Sequence, residues 1–81
     1  MDMPDEAQET VLDASGLKCP LPVLKARKAL SALPPGAVLK VIATDPGAPE
    51  DLRHFCDAAG HRLLDQAATE SGSVTRIARG G

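Results

Sequence analysis

The sequence predicts a small α+β domain, a two-layer α/β sandwich in which two helices pack on one face of a four-stranded mixed sheet. The chain has 81 residues, which is enough for one hydrophobic core and too few for two. Apolar residues make up 43% of it and charged residues 25%, the balance of a globular protein. Its apolar patterns follow the order βαβαββ, and the first strand–helix–strand unit is expected to place its two strands in parallel.

The first eight residues differ from the rest of the chain. Residues 1–8 contain acids and no base, so we expect a flexible acidic tail followed by a single domain over residues 9–81. An acidic start is unlike the basic start of secretory and organelle-targeting segments. No apolar run approaches the roughly 20 residues that cross a bilayer. The sequence therefore predicts a cytoplasmic protein with no membrane partner.

The first half of the domain predicts a strand, a helix and a second strand. Residues 10–14 are rich in β-forming side chains and are followed by a Ser-Gly turn. Residues 20–33 open with proline and repeat apolar side chains at helical spacing, whereas residues 37–44 form a nearly continuous apolar run of strand length. The predicted core face of this helix consists of Val23, Ala26, Leu30 and Leu33.

The second half predicts a helix and a hairpin. Pro49 opens the helix, two acids occupy its first turn, and Gly60 ends it. Residues 61–69 and 73–79 then predict two strands joined by a Glu-Ser-Gly turn. The predicted core face of this second helix consists of Leu52, Phe55, Cys56 and Ala59.

Composition excludes several classes of function. Phe55 is the only aromatic residue and the net charge is −2, which argues against direct nucleic-acid binding by base stacking or by a basic surface. The chain contains no CxxC, GxGxxG, Walker-type or HExxH pattern. Two cysteines and two histidines could supply the four ligands of a zinc site, but these residues are predicted to lie on different faces. We therefore expect no metal and no cofactor.

The two cysteines have different predicted environments. Cys56 lies on the core face of the second helix, where a free cysteine acts as a small buried apolar side chain. Cys19 precedes Pro20, a residue favoured at the first helical position, so Cys19 is the predicted N-cap. A sulfur at that position would face free backbone N–H groups, with Lys18 beside it, and the pKa of the thiol would fall below about 8.5. The alternative is that Cys19 is only a small residue in a tight connection.

The charges of the chain are unevenly distributed. Residues 1–13 carry five acids and no base, and residues 14–44 carry five bases and no acid. These bases form either a solvated helix face or a positive surface that steers the protein toward acidic partners. Leu21 and Leu24 lie off the predicted core face of the first helix, so they either contact partners or pack under the second helix. The five bases are Lys18, Lys25, Arg27, Lys28 and Lys40.

Residues 12–22, with the sequence LDASGLKCPLP, resemble the signature of the TusA/SirA family of small sulfur carriers. The hallmark of that family is a Cys-Pro-x-Pro motif at the start of the first helix, and the likeness extends over residues 10–81. The resemblance implies a fold like the C-terminal domain of bacterial translation initiation factor three. Its implied site residues are the catalytic Cys19, the motif residues Pro20, Leu21 and Pro22, and the partner-docking or thiolate-stabilising Lys18, Lys25, Arg27 and Lys28.

The resemblance also implies a reaction and its partners. Cys19 would accept sulfur as a persulfide from a cysteine desulfurase or a rhodanese-type donor and pass it to an acceptor protein. In TusA-like members of the family the route leads to 2-thiouridine in tRNA, whereas relatives serve molybdenum-cofactor formation or sulfur oxidation. Some members carry an acid where this chain has Leu21, which leaves the particular partner open. The chemistry would be of the sulfurtransferase type, at one cysteine.

Two alternatives remain open at this point. The chain ends in Gly80-Gly81, like ubiquitin-like carriers whose terminal carboxylate becomes a thiocarboxylate, but those domains open with a β-hairpin. The other alternative is a regulatory interaction module with Cys19 as a redox sensor. A second, resolving cysteine would strengthen that interpretation, but the other cysteine, Cys56, is predicted to face the core.

Overall fold

The computed structural model describes residues 9–80, so the predicted tail over residues 1–8 and the terminal Gly81 lie outside the described residues. The elements follow the predicted order. They are β1 (Glu9–Ala14), α1 (Leu21–Ser31), β2 (Val38–Ala43), α2 (Ala48–Ala59), β3 (Arg62–Ala68) and β4 (Ser73–Ala78).

The four strands form one mixed sheet in the order β1-β2-β4-β3. β1 and β2 are parallel, as a strand–helix–strand unit requires, and β4 is antiparallel to both of its neighbours. The register between β3 and β4 shifts once, between Leu63 and Asp65. Helix α1 packs on β1 and β2, and helix α2 packs on β3 and β4. This arrangement confirms the predicted fold class.

The core lies between the helices and one face of the sheet. Alternate residues of β2 and β4 are buried, which is the period of two that a strand with one covered face requires. Leu30 of α1 and Leu52 of α2 are fully buried against Leu39, Val41 and Ile77 of the sheet. Burial of such side chains contributes roughly 1.5–3 kcal/mol each, so each of these residues makes a large contribution to the stability of the domain.

The helix faces match the prediction with two corrections. In α1, Ala26 and Leu30 are buried as predicted, and Pro22 is buried as well because the helix lays its first turn on the sheet. In α2, Leu52 and Cys56 are buried, but the prediction for Ala59 is wrong. Ala59 is the last helical residue and Gly60 turns the chain in a left-handed conformation with φ 80°, so the Ala59 methyl group remains exposed.

Parallel pairing of β1 and β2 brings two loops to one edge of the sheet. Both strands end at that edge, so the β1–α1 loop and the β2–α2 loop lie side by side there. The backbone N–H of Gly16 in the first loop donates a hydrogen bond to the Oγ1 of Thr44 in the second, at 2.8 Å. Gly16 has a φ of 81°, a left-handed conformation that favours glycine. The loop that carries Cys19 is thereby fixed against the start of α2.

Candidate functional site

Cys19 lies in the β1–α1 loop, two residues before the first residue of α1, and is exposed as a free thiol. The loop around it is held by main-chain hydrogen bonds: the N–H of Leu21 donates to the Lys18 carbonyl at 2.8 Å, and the N–H of Leu24 donates to the Pro20 carbonyl at 3.1 Å. Two cavities of about 500 and 430 Å³ are present in the described chain, and Cys19 lines neither of them. A sulfur on an open surface suits a macromolecular partner better than an enclosed small molecule.

The prediction that Cys19 caps the first helix is wrong. The N-cap residue is Pro20, and no side chain makes a capping hydrogen bond. The physical reason lies in the two prolines of the motif. The Leu21 N–H already bonds to the Lys18 carbonyl, and Pro22 has no N–H, so two of the donors that a capping sulfur would face are missing.

The predicted direction of the Cys19 pKa is wrong as well. The pKa of the thiol is raised, first by interaction with the Asp51 carboxylate, which favours the protonated form. Partial loss of solvent and the negative charges of Asp51 and Asp45 act in the same direction. Lys18 is the neighbour of Cys19 in the chain, but it is not among the groups that shift this pKa. The charges that act on the sulfur are therefore negative.

Asp45 and Asp51 are two carboxylates that act on Cys19, and neither was predicted from the sequence as a site residue. Asp45 follows β2, and its Oδ2 accepts a hydrogen bond from the Gly47 N–H at 3.0 Å. Asp51 lies in the first turn of α2. A Cβ placed on Gly47 would lie 3.2 Å from the Asp45 Oδ2 and 3.9 Å from the Asp51 Oδ2, so both oxygens border the same small space. Parallel pairing of β1 with β2 was the one available signal, since it brings these loops together.

The predicted basic residues are exposed in the β1–α1 loop and on α1. Lys18, Lys25, Arg27 and Lys28 are all exposed, and within residues 9–80 none of them lies within 4 Å of a carboxylate oxygen. Lys18 precedes Cys19 in the loop, and the other three bases follow it on α1. They remain free to meet charges on another molecule.

The open face of α1 carries apolar side chains between these bases. Leu21 and Leu24 are 44% and 50% exposed, so neither packs under α2. At 100° per residue, Lys25 and Lys28 fall on the same face of the helix as the two leucines. We call this set the α1 surface. It begins next to Cys19 and consists of Leu21, Leu24, Lys25 and Lys28.

The remaining candidate groups serve the fold. Cys56 is 2% exposed, and burial raises the pKa of its thiol to about 11. The Gly80 N–H donates to the Nδ1 of His61 at 3.0 Å, and a Cβ on Gly80 would overlap the carbonyl oxygen of Gly60. Among residues 9–80, no three His, Cys, Asp or Glu side chains are placed to hold a metal ion, and neither helix is long and apolar enough to cross a membrane.

Comparison with known proteins places this architecture in a family. The family described as Sulfurtransferase TusA matches residues 10–79. A relative from Neisseria meningitidis serogroup A is 53% identical over 66 residues, which cover 82% of this chain and 88% of the relative. The sulfur carrier protein TusA of Allochromatium vinosum is 52% identical over 63 residues, 78% of this chain and 80% of that protein.

The solved structures agree with the sequence relatives. The crystal structure of a SirA-like protein from Desulfitobacterium hafniense superposes with a TM-score of 0.76 at 27% identity, over 89% of this chain and 99% of that one. The match confirms both the predicted fold and the resemblance noted for residues 12–22. The chain belongs to the TusA sulfurtransferase family.

Proposed function

We propose that this protein is a sulfur carrier that accepts sulfur as a persulfide on Cys19 and passes it to an acceptor protein. The observation that carries the proposal is the exposed, free Cys19 thiol within the Cys-Pro-x-Pro motif of a TusA-family chain. Relatives that bear the name sulfur carrier protein TusA support it. The second cysteine supports it too, because Cys56 is buried and leaves Cys19 as the accessible sulfur.

The transfer needs one nucleophilic sulfur and no cofactor. The Cys19 thiol gives its proton to solvent, and the thiolate attacks the terminal sulfur of a persulfide on the donor. A new S–S bond forms at Cys19 while the S–S bond of the donor breaks, and the electron pair leaves on the donor cysteine. The acceptor thiolate then repeats the same exchange on loaded Cys19. Sulfur moves between proteins with no net oxidation.

The α1 surface is the proposed docking site for the donor and the acceptor. It combines exposed apolar area with unpaired bases next to the reacting sulfur. Such a surface is complementary to a partner surface with an apolar patch bordered by acidic residues. The opposite charges also increase the rate of association. A cysteine desulfurase or a rhodanese-type protein is the proposed donor, in the cytoplasm. The acceptor route is proposed to be tRNA 2-thiouridine formation, with molybdenum-cofactor formation and sulfur oxidation as the other routes to test.

Loading with labelled sulfur tests the proposal. The protein is incubated with a cysteine desulfurase and isotopically labelled cysteine, and its peptides are analysed by mass spectrometry. We expect a gain of about 32 Da on the Cys19 peptide that a thiol reductant removes. The variant C19S should accept no label, and the matched variant C56S should accept label at the wild-type rate. Label on C19S, or a reductant-resistant gain of about 16 Da on the C-terminal peptide, would overturn the proposal.

A further inference from the structure

The larger of the two cavities lies at the same edge of the sheet as the loop that carries Cys19. Its volume is about 500 Å³, which is within the range of small-molecule sites. Thr44 lines it and accepts the hydrogen bond from Gly16 of the β1–α1 loop, at 2.8 Å. We call it the sheet-edge cavity. It is lined by residues 44–46, Pro49, residues 66–69 and residues 72–73.

The buried hydroxyl group of Ser73 belongs to the wall of this cavity. Ser73 is the first residue of β4, on the face of the strand that the helices cover, and it is 7% exposed. Within residues 9–80, its Oγ makes no hydrogen bond. The buried hydroxyl of Thr75, on the same face, accepts a bond from the Nε2 of Gln66 at 3.2 Å. A buried hydroxyl without a partner is costly, and its position in a cavity wall favours a partner that a bound molecule supplies.

The walls of the cavity are fixed by contacts between the elements. The Nε2 of Gln66 donates to the Pro49 carbonyl at 2.7 Å, which holds β3 against the start of α2. In the β3–β4 turn, the Thr69 N–H donates to the Gly72 carbonyl at 2.9 Å, and the Gly72 N–H donates to the Thr69 Oγ1 at 3.0 Å. A Cβ on Gly72 would overlap the carbonyl oxygen of Ala43, so the turn lies directly on the end of β2. A cavity with fixed walls binds a ligand with little loss of conformational entropy.

The chemistry of the lining favours a ligand that donates hydrogen bonds and carries positive charge. Asp45 is the only ionisable residue among the described residues that line the cavity, so the wall contains an acid and no base. Both amide hydrogens of Gln66 are engaged, one by the Pro49 carbonyl and one by Thr75, which leaves the side-chain carbonyl oxygen as an acceptor. A carboxylate and a carbonyl accept hydrogen bonds and donate none.

The start of α2 does not make the cavity a site for anions. Helix N-termini attract anions through their free N–H groups. Here the Ala48 N–H donates to the Asp45 carbonyl, and the Asp51 N–H donates to the Gly47 carbonyl, each at 3.1 Å. Pro49 has no N–H, and the first turn of the helix carries two acids. An anionic ligand would therefore find few donors and like charge at this end of α2.

We propose that the sheet-edge cavity binds an organic cation, an ammonium or guanidinium group on a compact apolar stem. The N–H groups of the cation donate to the Ser73 hydroxyl oxygen, and Asp45 supplies the opposite charge. The stem packs on Pro46, Pro49 and Ala68 of the lining. Such a group belongs either to a free amine or to a lysine or arginine side chain of another protein, and the experiment separates these sources. The inference does not rest on sulfur transfer, since Cys19 does not line the cavity.

The experiment titrates the ¹⁵N-labelled protein with probes of one shape and different charge and follows backbone amide signals by NMR. Benzylamine is the cationic probe, benzyl alcohol the neutral one and benzoate the anionic one. We expect benzylamine to shift the signals of residues 66–69 and 72–73 and to bind about tenfold or more tightly than the other two. Nα-acetyl-lysine methylamide represents a protein side chain, with the norleucine analogue as its uncharged match. Tighter binding of the blocked lysine than of benzylamine assigns the site to a side chain of another protein, and the reverse order assigns it to a free amine.

Variants separate a ligand role of Ser73 from a structural one. S73A should weaken benzylamine binding about tenfold without lowering the midpoint of thermal unfolding, because the hydroxyl that it removes has no partner within residues 9–80. T75V removes a buried hydroxyl that accepts a bond from Gln66, so it should lower that midpoint. D45N should weaken benzylamine binding about tenfold and leave benzyl alcohol binding unchanged. E70Q is the control for charge, since Glu70 is exposed in the β3–β4 turn and does not line the cavity.

Four results would overturn the inference. These are no binding of either cationic probe, equal binding of benzylamine and benzoate, wild-type affinity of S73A for benzylamine, or a loss of unfolding midpoint in S73A as large as in T75V. The last result would assign the Ser73 hydroxyl to the fold. Because sulfur transfer is not measured, a failure here leaves the carrier function standing, and a failure of sulfur loading leaves the binding result standing.

Discussion

The two cysteines of this domain both have a raised pKa, but for different reasons. Cys56 is 2% exposed, and burial alone raises its pKa to about 11. Cys19 is exposed, and the Asp51 carboxylate is the main cause of its raised pKa. Burial is a fixed property of the fold, whereas a charge next to an exposed group can be neutralised by another molecule. Only Cys19 therefore has a reactivity that a partner can change.

The comparison also separates the contributions of the two sulfurs to the fold. Cys56 belongs to the buried cluster that includes Leu30 and Leu52, so its side chain fills volume in the core. Cys19 is not a member of that cluster and makes no capping bond to α1. The structure thus assigns packing to one cysteine and leaves the other free for chemistry.

The largest expected difference between the two thiols is in alkylation of the native protein. At about pH 8, a thiol with a pKa of about 11 is ionised in roughly one molecule in a thousand, and its burial blocks the reagent as well. Iodoacetamide should therefore modify Cys19 at least about a hundredfold faster than Cys56, as followed by peptide mass spectrometry. In urea the two rates should converge to within a few-fold. Similar rates in the native protein would contradict the assigned burial of Cys56.

Substitution by serine should separate the two cysteines by stability. C56S places a polar hydroxyl group in an apolar core. The cost of burying that group should lower the free energy of unfolding by about 1–3 kcal/mol. C19S changes an exposed loop side chain and should leave the free energy of unfolding unchanged within error. Urea titrations followed by circular dichroism measure both values. A large loss in C19S would show that Cys19 is a structural residue.

The stability contributed by Cys56 should depend on pH. Its folded pKa of about 11 lies above the unfolded value of about 8.5, so the native state holds the thiol proton more tightly. The resulting stability is fully present below about pH 8.5 and is lost as the pH rises through about 11. Wild type should therefore lose about 2–3 kcal/mol more than C56A over this interval. If the free energies of unfolding of the two proteins changed with pH in parallel, burial would not be raising the pKa of Cys56.

The positions of the strands and helices were predictable because their signals are local. The prolines at 20 and 49 and the glycines at 16 and 60 mark the ends of elements, and apolar periodicity separates helix from strand. Each of the six elements lies within two residues of its predicted range. The exposure of Ala59 was missed because periodicity does not show where the sheet under a helix ends.

The environment of Cys19 was predictable only in part. Its location before α1 and its exposure follow from the motif, and both agree with the structure. The sign of its pKa shift was not predictable from nearby residues, because Lys18 is adjacent in the sequence while Asp51 is 32 positions away. Whether a carboxylate of a neighbouring element lies close enough to act on the sulfur depends on the folded arrangement, which spacing along the chain does not show.

The smallest expected effect is the response of the Cys19 thiol to salt, and it tests whether the Asp51 charge acts on the sulfur. Raising ionic strength from about 0.05 M to about 1 M shortens the screening length to about 3 Å, so repulsion of the thiolate by Asp45 and Asp51 weakens. The pH midpoint for alkylation of Cys19 should fall more in the wild type than in the variant D51N, which serves as the control for general salt effects. It should still remain above the midpoint of D51N, because the Asp51 carboxylate is the main cause of the raised pKa and salt screens its charge only in part. An equal salt response in both proteins would mean that the Asp51 charge does not act on the sulfur. The contrast between a Cys19 pKa that a partner can change and a Cys56 pKa that burial fixes would then have no electrostatic basis.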